Sequence, residues 1–212
     1  MTTLLLAGAT GLVGQAVLRQ SLADARISQV IAPTRRTLPM HPRLLNPLVD
    51  FSALPEDAPW WRVDAVICAL GTTIRAAGSQ AAFRTVDHDY PLAVARLARR
   101  QGAPTYVLTS AMGAHAQSRV FYSRTKGELE RDLQAMDFPS LTFVRPGLLG
   151  GKRELRRPLE HLGIKVLAAI GPLLPRRYRV VPADSVAAAL LQAALEAAAG
   201  LRIIESEAIV TG

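Results

Sequence analysis

The sequence predicts an α/β protein with a doubly wound, mostly parallel sheet and a small C-terminal cap. Short apolar runs alternate with helical patterns along the chain, several of those runs are apolar at nearly every position, and the first ends in a glycine-rich turn. Strands alternating with helices at this spacing read as βαβ units, and strands apolar throughout read as buried on both faces. Right-handed crossovers then wind the helices onto both sides of the sheet. In order, Thr2–Ala7 reads as a strand. Leu12–Leu22 reads as a helix, with Leu12, Val13, Ala16, Val17 and Leu22 at helical spacing. Strands are expected at 27–32, 44–49, 64–70, 104–109 and 140–144, with long helices at 80–100 and 118–136. After Pro146-Gly147 come basic turns and prolines, then an Ala-rich helix over 183–199 and a terminal strand near 201–205. The 212 residues are read as one domain, with 151–182 as a substrate-side cap too short for its own core.

The composition excludes several classes. It is 50% apolar and 20% charged, as expected of a chain with a substantial core. The one cysteine, Cys68, leaves no internal disulfide and no cysteine metal cluster, which suits a reducing, cytosolic setting. The start lacks a basic leader region and is broken by glycines, unlike a signal peptide. No apolar stretch reaches the ~18 clean residues of a membrane span. A soluble cytoplasmic protein is the expectation. The net charge of +8 is concentrated: between Lys152 and Arg179 lie eight basic and two acidic residues, a local +6. Such a segment suits a solvated face or an acidic or phosphorylated substrate; nucleic acid is the less favoured reading. Arginine outnumbers lysine 22 to 3 along the whole chain, so part of this richness is compositional.

The first strand runs into Gly8-Ala9-Thr10-Gly11-Leu12-Val13-Gly14. Glycines at 8 and 11 let the backbone turn sharply and approach a pyrophosphate, Gly14 lets helix and strand pack closely, and the helix N-terminus offers free N–H groups. The spacing is a GxxGxxG variant of a dinucleotide fingerprint, in the strand–turn–helix context that the motif requires. The second strand ends Ala32-Pro33-Thr34-Arg35-Arg36, without the carboxylate that would take a ribose 2′-hydroxyl. Two guanidiniums suit a 2′-phosphate instead, so NADPH is expected to bind in preference to NADH. Asp50-Phe51, at the end of the third strand, reads either as an adenine wall or as a turn carboxylate beside a core ring.

Tyr122 and Lys126 lie four residues apart on one face of a helix, and Ser110 ends the preceding strand at the sheet edge where such folds bind ligands. Those residue types suit hydride transfer to a carbonyl. Lys126 would ease proton loss from the Tyr122 phenol and hold a ribose, Tyr122 would act as general acid, and Ser110 would orient the carbonyl and stabilise the oxyanion.

GATGLVG, the DAVICALGTT strand and loop, VDHDY, the strand ending in Thr109-Ser110, YSRTKGELE and the RPGLLGG turn together resemble the short-chain dehydrogenase/reductase superfamily. Within it the chain most resembles the atypical branch of Tat-interacting-protein-like oxidoreductases and NAD(P)H-binding epimerase-like proteins. The resemblance covers residues 2–150 and, more loosely, VVPADSVA. It implies an NAD(P)-binding Rossmann fold, with Ser110, Tyr122 and Lys126 as the catalytic trio. It also implies cofactor contacts from Leu70, Gly71, Thr72, Pro146, Gly147 and Leu148. The family often carries an asparagine as proton relay where this chain reads Val86-Asp87-His88-Asp89. About 65 C-terminal residues are few for holding a nucleotide sugar, which argues against epimerase activity on one.

Other residues read blandly. Cys68 sits in a buried strand, the four histidines share no metal-ligand spacing, His115 reads as a solvated loop residue, and Trp60-Trp61 packs a loop on the core. The functional reading is an NADP(H)-dependent oxidoreductase acting on a small carbonyl or alcohol. The alternative is a non-catalytic NADP(H)-sensing or protein-binding module. No membrane partner is expected, and monomer and homodimer are equally compatible with the sequence.

Overall fold

The computed structural model describes residues 1–150 and 180–209. Its main sheet has seven strands, all paired in parallel. They are β1 (Thr2–Ala7), β2 (Ile27–Ile31), β3 (Leu44–Leu45), β4 (Ala65–Cys68), β5 (Thr105–Thr109), β6 (Ser140–Arg145) and β9 (Gly200–Glu205), ordered β3-β2-β1-β4-β5-β6-β9. A separate two-stranded ladder joins β7 (Leu149–Gly150) to β8 (Val181–Pro182). The helices are α1 (Leu12–Ala23), α2 (Ile74–Ala77), α3 (Gln80–Arg84), α4 (Tyr90–Arg100), α5 (Phe121–Gln134), α6 (Ala183–Glu196) and α7 (Ser206–Ile209). This is the Rossmann-type fold expected. The strand order reverses between β1 and β4, which opens a crevice beyond the carboxyl ends of those two strands.

Apolar side chains cover both faces of the sheet because successive strand residues point to opposite sides. Leu4, Leu6, Ile67 and Val107 pack with Val13 and Val17 of α1 and Leu190 of α6. Leu5, Val66, Tyr106 and Leu108 pack on the other side with Val94 of α4 and with Leu129 and Leu133 of α5. Cys68 is fully buried in the second of these layers, as read from the sequence. No described helix is long and apolar enough to cross a membrane.

Three elements differ from expectation, each for a local reason. The strand expected over 44–49 is ordered only at Leu44–Leu45, with one further bridge from Thr34 to Leu48. Pro47 has no N–H to give to the ladder and interrupts it. The helix expected to run unbroken over 80–100 contains a π-helical turn at Thr85–Asp89, where the Tyr90 N–H reaches back to the Thr85 carbonyl. A proline ring clashes with the carbonyl four residues earlier, so Pro91 forbids regular α geometry at Asp87. The turn carries Asp87 and His88 inward, where both are buried. Helix α5 begins at Phe121 and not at Ser118, whose hydroxyl accepts from the Val120 N–H and whose carbonyl accepts from Arg124. The expected cap (151–182) lies outside the described residues except for its last three, and the basic segment 152–179 lies outside them entirely.

Gly127, in the middle of α5, fixes how the 111–118 loop sits. A Cβ there would lie 2.1 Å from the His115 carbonyl carbon, and the His115 N–H bonds the Ser123 carbonyl at 3.0 Å. Gly127→Ala is therefore expected to lower stability by about 1–3 kcal/mol through overpacking. The denaturant midpoint should fall with the slope unchanged; an unmoved midpoint would contradict this seating of the loop.

Candidate functional site

Most of the predicted site residues lie on the segments that follow the carboxyl ends of the strands. The turn after β1 holds Gly8–Gly14, the loop after β4 holds Leu70, Gly71 and Thr72, Ser110 follows β5, and Pro146, Gly147 and Leu148 follow β6. These four strands are adjacent. Arg35 and Arg36 follow β2, on the other side of β1.

The glycine turn is forced by contact. Gly8 has φ +92°, and a Cβ there would meet the Ala69 carbonyl carbon at 2.5 Å. A Cβ on Gly14 would fall 1.9 Å from the Gly8 carbonyl oxygen, so α1 starts as close to β1 as two backbones allow. Gly11 caps α1 without a side-chain hydrogen bond and its N–H bonds the Gly8 carbonyl at 3.0 Å. The first-turn amides of α1 therefore face the crevice uncapped, with no acidic side chain among them. Thr10 is exposed, and Leu12 and Val13 continue into the helix. Arg35 and Arg36 are exposed, and neither guanidinium has a hydrogen-bond partner among the described residues. Asn46 holds the backbone beneath them, donating to the Ala32 carbonyl at 2.6 Å and to the Thr34 hydroxyl at 2.8 Å.

Asp50 and Phe51 take the plainer of their two readings. Phe51 is buried in the core against Tyr90, with ring centroids 5.8 Å apart. The Asp50 carboxylate accepts from the Ser52 N–H, a bond that with nearby Arg35 holds it below its ordinary pKa.

Helix α5 presents Tyr122, Lys126 and Glu130 at four-residue intervals along one face. Tyr122 is 38% exposed and its ring lies 5.6 Å from that of Phe83. Lys126 is buried, with its ammonium 2.8 Å from Asp87 Oδ1. The other carboxylate oxygen of Asp87 accepts from the Thr72 N–H at 2.7 Å. Burial is the largest single influence on Lys126 and lowers its pKa, but the charge and hydrogen bond of Asp87 together with the neighbouring Tyr122 outweigh it, and the ammonium is held above its ordinary value. Asp87 thus stands where the family often has asparagine, and joins the loop after β4 to the lysine of α5.

Ser110 is placed differently from its expected role. Its hydroxyl donates to Glu130 Oε1 at 2.5 Å. Glu130 is also bound by Arg145, at 3.0 Å from Nε and 2.6 Å from Nη2, and Arg145 reaches Glu205 at 2.9 Å. An ionised carboxylate only accepts, so the single Ser110 proton is committed inward and the hydroxyl offers the cleft only lone pairs. The donation to a substrate oxyanion expected from the sequence is not available in this arrangement. Glu130, first, and Glu205 hold the Arg145 guanidinium above its ordinary pKa against the cost of burial.

Pro146 accepts from the Met112 N–H at 3.0 Å, the Gly147 N–H bonds the Ser206 hydroxyl at 3.0 Å, and Leu148 is exposed. His115 is exposed, and no group of three metal-ligating side chains occurs among the described residues.

No family model matches the chain. A mitochondrial FMP52 protein of Eremothecium gossypii is 36% identical over 174 residues, covering 81% of this chain and 76% of that protein. The HTATIP2 protein of Rattus norvegicus is 34% identical over 209 residues, covering 96% and 86%. The chain belongs to the FMP52/HTATIP2 family. That places it in the atypical short-chain dehydrogenase/reductase group, as its motifs imply. Among solved structures, MoeE5 in complex with UDP-glucose and NAD superposes with a TM-score of 0.72 at 15% identity, covering 99% of this chain and 80% of that one. The fold is thus one shared with a protein solved in complex with NAD. The cytoplasmic expectation is corrected: FMP52 relatives carry a mitochondrial designation, and a lone buried cysteine with a glycine-broken start does not distinguish the two compartments.

Glu130, Arg145 and Asn46 were not singled out by sequence reasoning. For Glu130 a signal exists, since Tyr122, Lys126 and Glu130 continue one four-residue stripe. Arg145 and Asn46 become recognisable only once distant strands are brought together. Removing the Glu130 carboxylate leaves Arg145 half-paired and Ser110 without its acceptor. Glu130→Ala is expected to cost about 3–5 kcal/mol in stability, measured by chemical unfolding. A loss below about 1 kcal/mol, the range of a solvent-screened pair, would show that this network is peripheral.

Proposed function

We propose that this FMP52/HTATIP2-family chain is an NADP(H)-dependent oxidoreductase that transfers hydride between the nicotinamide and a small carbonyl or alcohol. The observation that supports it best is the occurrence along one sheet edge of an uncapped helix start, two exposed arginines without a hydrogen bond among the described residues and a buried, charged lysine one turn from an exposed tyrosine. The contacts forcing Gly8 and Gly14 leave backbone amides facing the crevice, which fits a pyrophosphate. Arg35 and Arg36, both exposed, fit a 2′-phosphate by paired hydrogen bonds. Bound there, NADPH would supply the hydride. Tyr122 would give its phenolic proton to the substrate oxygen during reduction and take it back in oxidation. Lys126, fixed by Asp87, would hold the ribose. Leu70, Gly71, Thr72, Pro146, Gly147 and Leu148 would line the rest of the cofactor site. The substrate is a small molecule, and the +6 segment suits an acidic one.

A non-catalytic NADP(H)-sensing role is favoured by one observation, the commitment of the Ser110 proton to Glu130. A sensor needs no oxyanion donor.

Of two measurements, the first tests the cofactor site common to both readings and the second separates them. Arg35→Asp is expected to weaken NADPH binding about tenfold or more while sparing NADH, in line with the loss of a charge-assisted phosphate contact. Equal affinity of the wild-type protein for the two cofactors would contradict the 2′-phosphate reading. Across a panel of carbonyls followed by nicotinamide absorbance, Tyr122→Phe is expected to abolish turnover by the wild-type protein and leave NADPH affinity unchanged. Absence of turnover by the wild-type protein across the panel, with NADPH bound, would favour the sensor.

A further inference from the structure

The buried pair of Asp87 and Lys126 has a property that an asparagine at the same place would lack. Both side chains are almost entirely out of water, with 4% and 2% of the Lys126 and Asp87 side chains exposed. At such burial an ammonium projects its field on its surroundings with little screening. Asp87 cancels most of it at 2.8 Å. The carboxylate is itself held from the other side, by the Thr72 N–H at 2.7 Å, and a Cβ on Gly71 would lie only 3.4 Å from its Oδ1. The π-helical turn at Thr85–Asp89 fixes its backbone. Lys126 therefore has no freedom to leave its carboxylate, and the pair enters the site as a neutral unit.

This bears on the two redox states of a nicotinamide. The oxidised ring carries a formal positive charge and the reduced ring does not. A lysine ammonium without a counterion, held at the adjoining ribose as proposed above, disfavours the oxidised form. We propose that Asp87 is a positioning residue that pins Lys126 as a charge-compensated cation, so that the site accepts the oxidised cofactor nearly as readily as the reduced one. The proposal rests on the cofactor reading above and goes beyond it, because it assigns to Asp87 the balance between the two redox states of the cofactor.

The test is a calorimetric titration of the wild-type protein and its variants with NADP+ and with NADPH, read as the ratio of the two dissociation constants. Asp87→Asn leaves Lys126 charged and uncompensated, and is expected to weaken NADP+ relative to NADPH by on the order of tenfold. A folded Asp87→Asn protein whose ratio stays within about twofold of wild type overturns the proposal and leaves the cofactor reading standing. Should that variant fail to fold, the double variant Asp87→Asn/Lys126→Met buries no charge and carries the test alone. Its ratio is expected to match the wild type within about twofold, since both are neutral at this point. A shift of about fivefold or more toward NADP+ in the double variant shows that the Lys126 charge was felt through Asp87, and overturns the proposal. Wild-type protein that binds neither form overturns the cofactor reading, and the proposal with it.

Discussion

Helix α5 buries a lysine, and a buried lysine keeps its charge without a large desolvation cost only where a counter-charge such as a carboxylate meets the ammonium. The Lys126–Asp87 contact therefore decides more than one side chain's position. It fixes the rotation of α5 about its own axis, which sets the direction of Tyr122 one turn earlier and of Glu130 one turn later. It requires Asp87 to point inward, which the π-helical turn ahead of Pro91 accomplishes. Through Thr72 it also ties down the loop after β4, one wall of the crevice. An isolated buried charge on either side would cost several kcal/mol, so the three elements are held in register together or not at all.

A second set of contacts braces the same helix at its other end. Ser110, Glu130, Arg145 and Glu205 link α5 to the ends of β5, β6 and β9. Gly127 lets the 111–118 loop lie against the helix between the two anchor points. Tyr122 remains the exposed member of the stripe. The result is a braced helix with one exposed phenol, and a glycine turn after β1 whose shape is set by backbone contact. Preorganisation of this kind is what binding a large dinucleotide demands, because little ordering is then left to the moment of binding.

Much of this is legible in the sequence. The strands are readable because they are apolar on both faces, and the glycine turn because Gly8 and Gly14 occupy positions where any side chain collides with backbone. The four-residue spacing of Tyr122 and Lys126 places them on one face with no knowledge of the fold. The illegible part depends on contacts between distant segments. Asp87 reads as a departure from a family pattern, but its partners lie 15 and 39 positions away, at Thr72 and Lys126. The direction in which the Ser110 proton points depends on the pairing of Glu130 with Arg145. Phe51 could have walled an adenine or filled the core, and only the position of Tyr90 decides it. The interruptions at Pro47 and Pro91 are written in the sequence. Whether each yields a shortened strand or a π-turn depends on the bonds that the neighbouring segment offers.

The proposed dinucleotide site lies at the carboxyl ends of β1 and β4, by the glycine turn and the loop that Asp87 ties down. Hydrogen–deuterium exchange with and without saturating NADPH tests it most directly, because it reports where the ligand sits without requiring a substrate. Slowed exchange at the amides of residues 8–14, at 71–72 and along 121–130 is the expected result. Protection confined to other surfaces, such as the cleft between α1 and α6 lined by Gln20, Arg26 and Gln192, would contradict it.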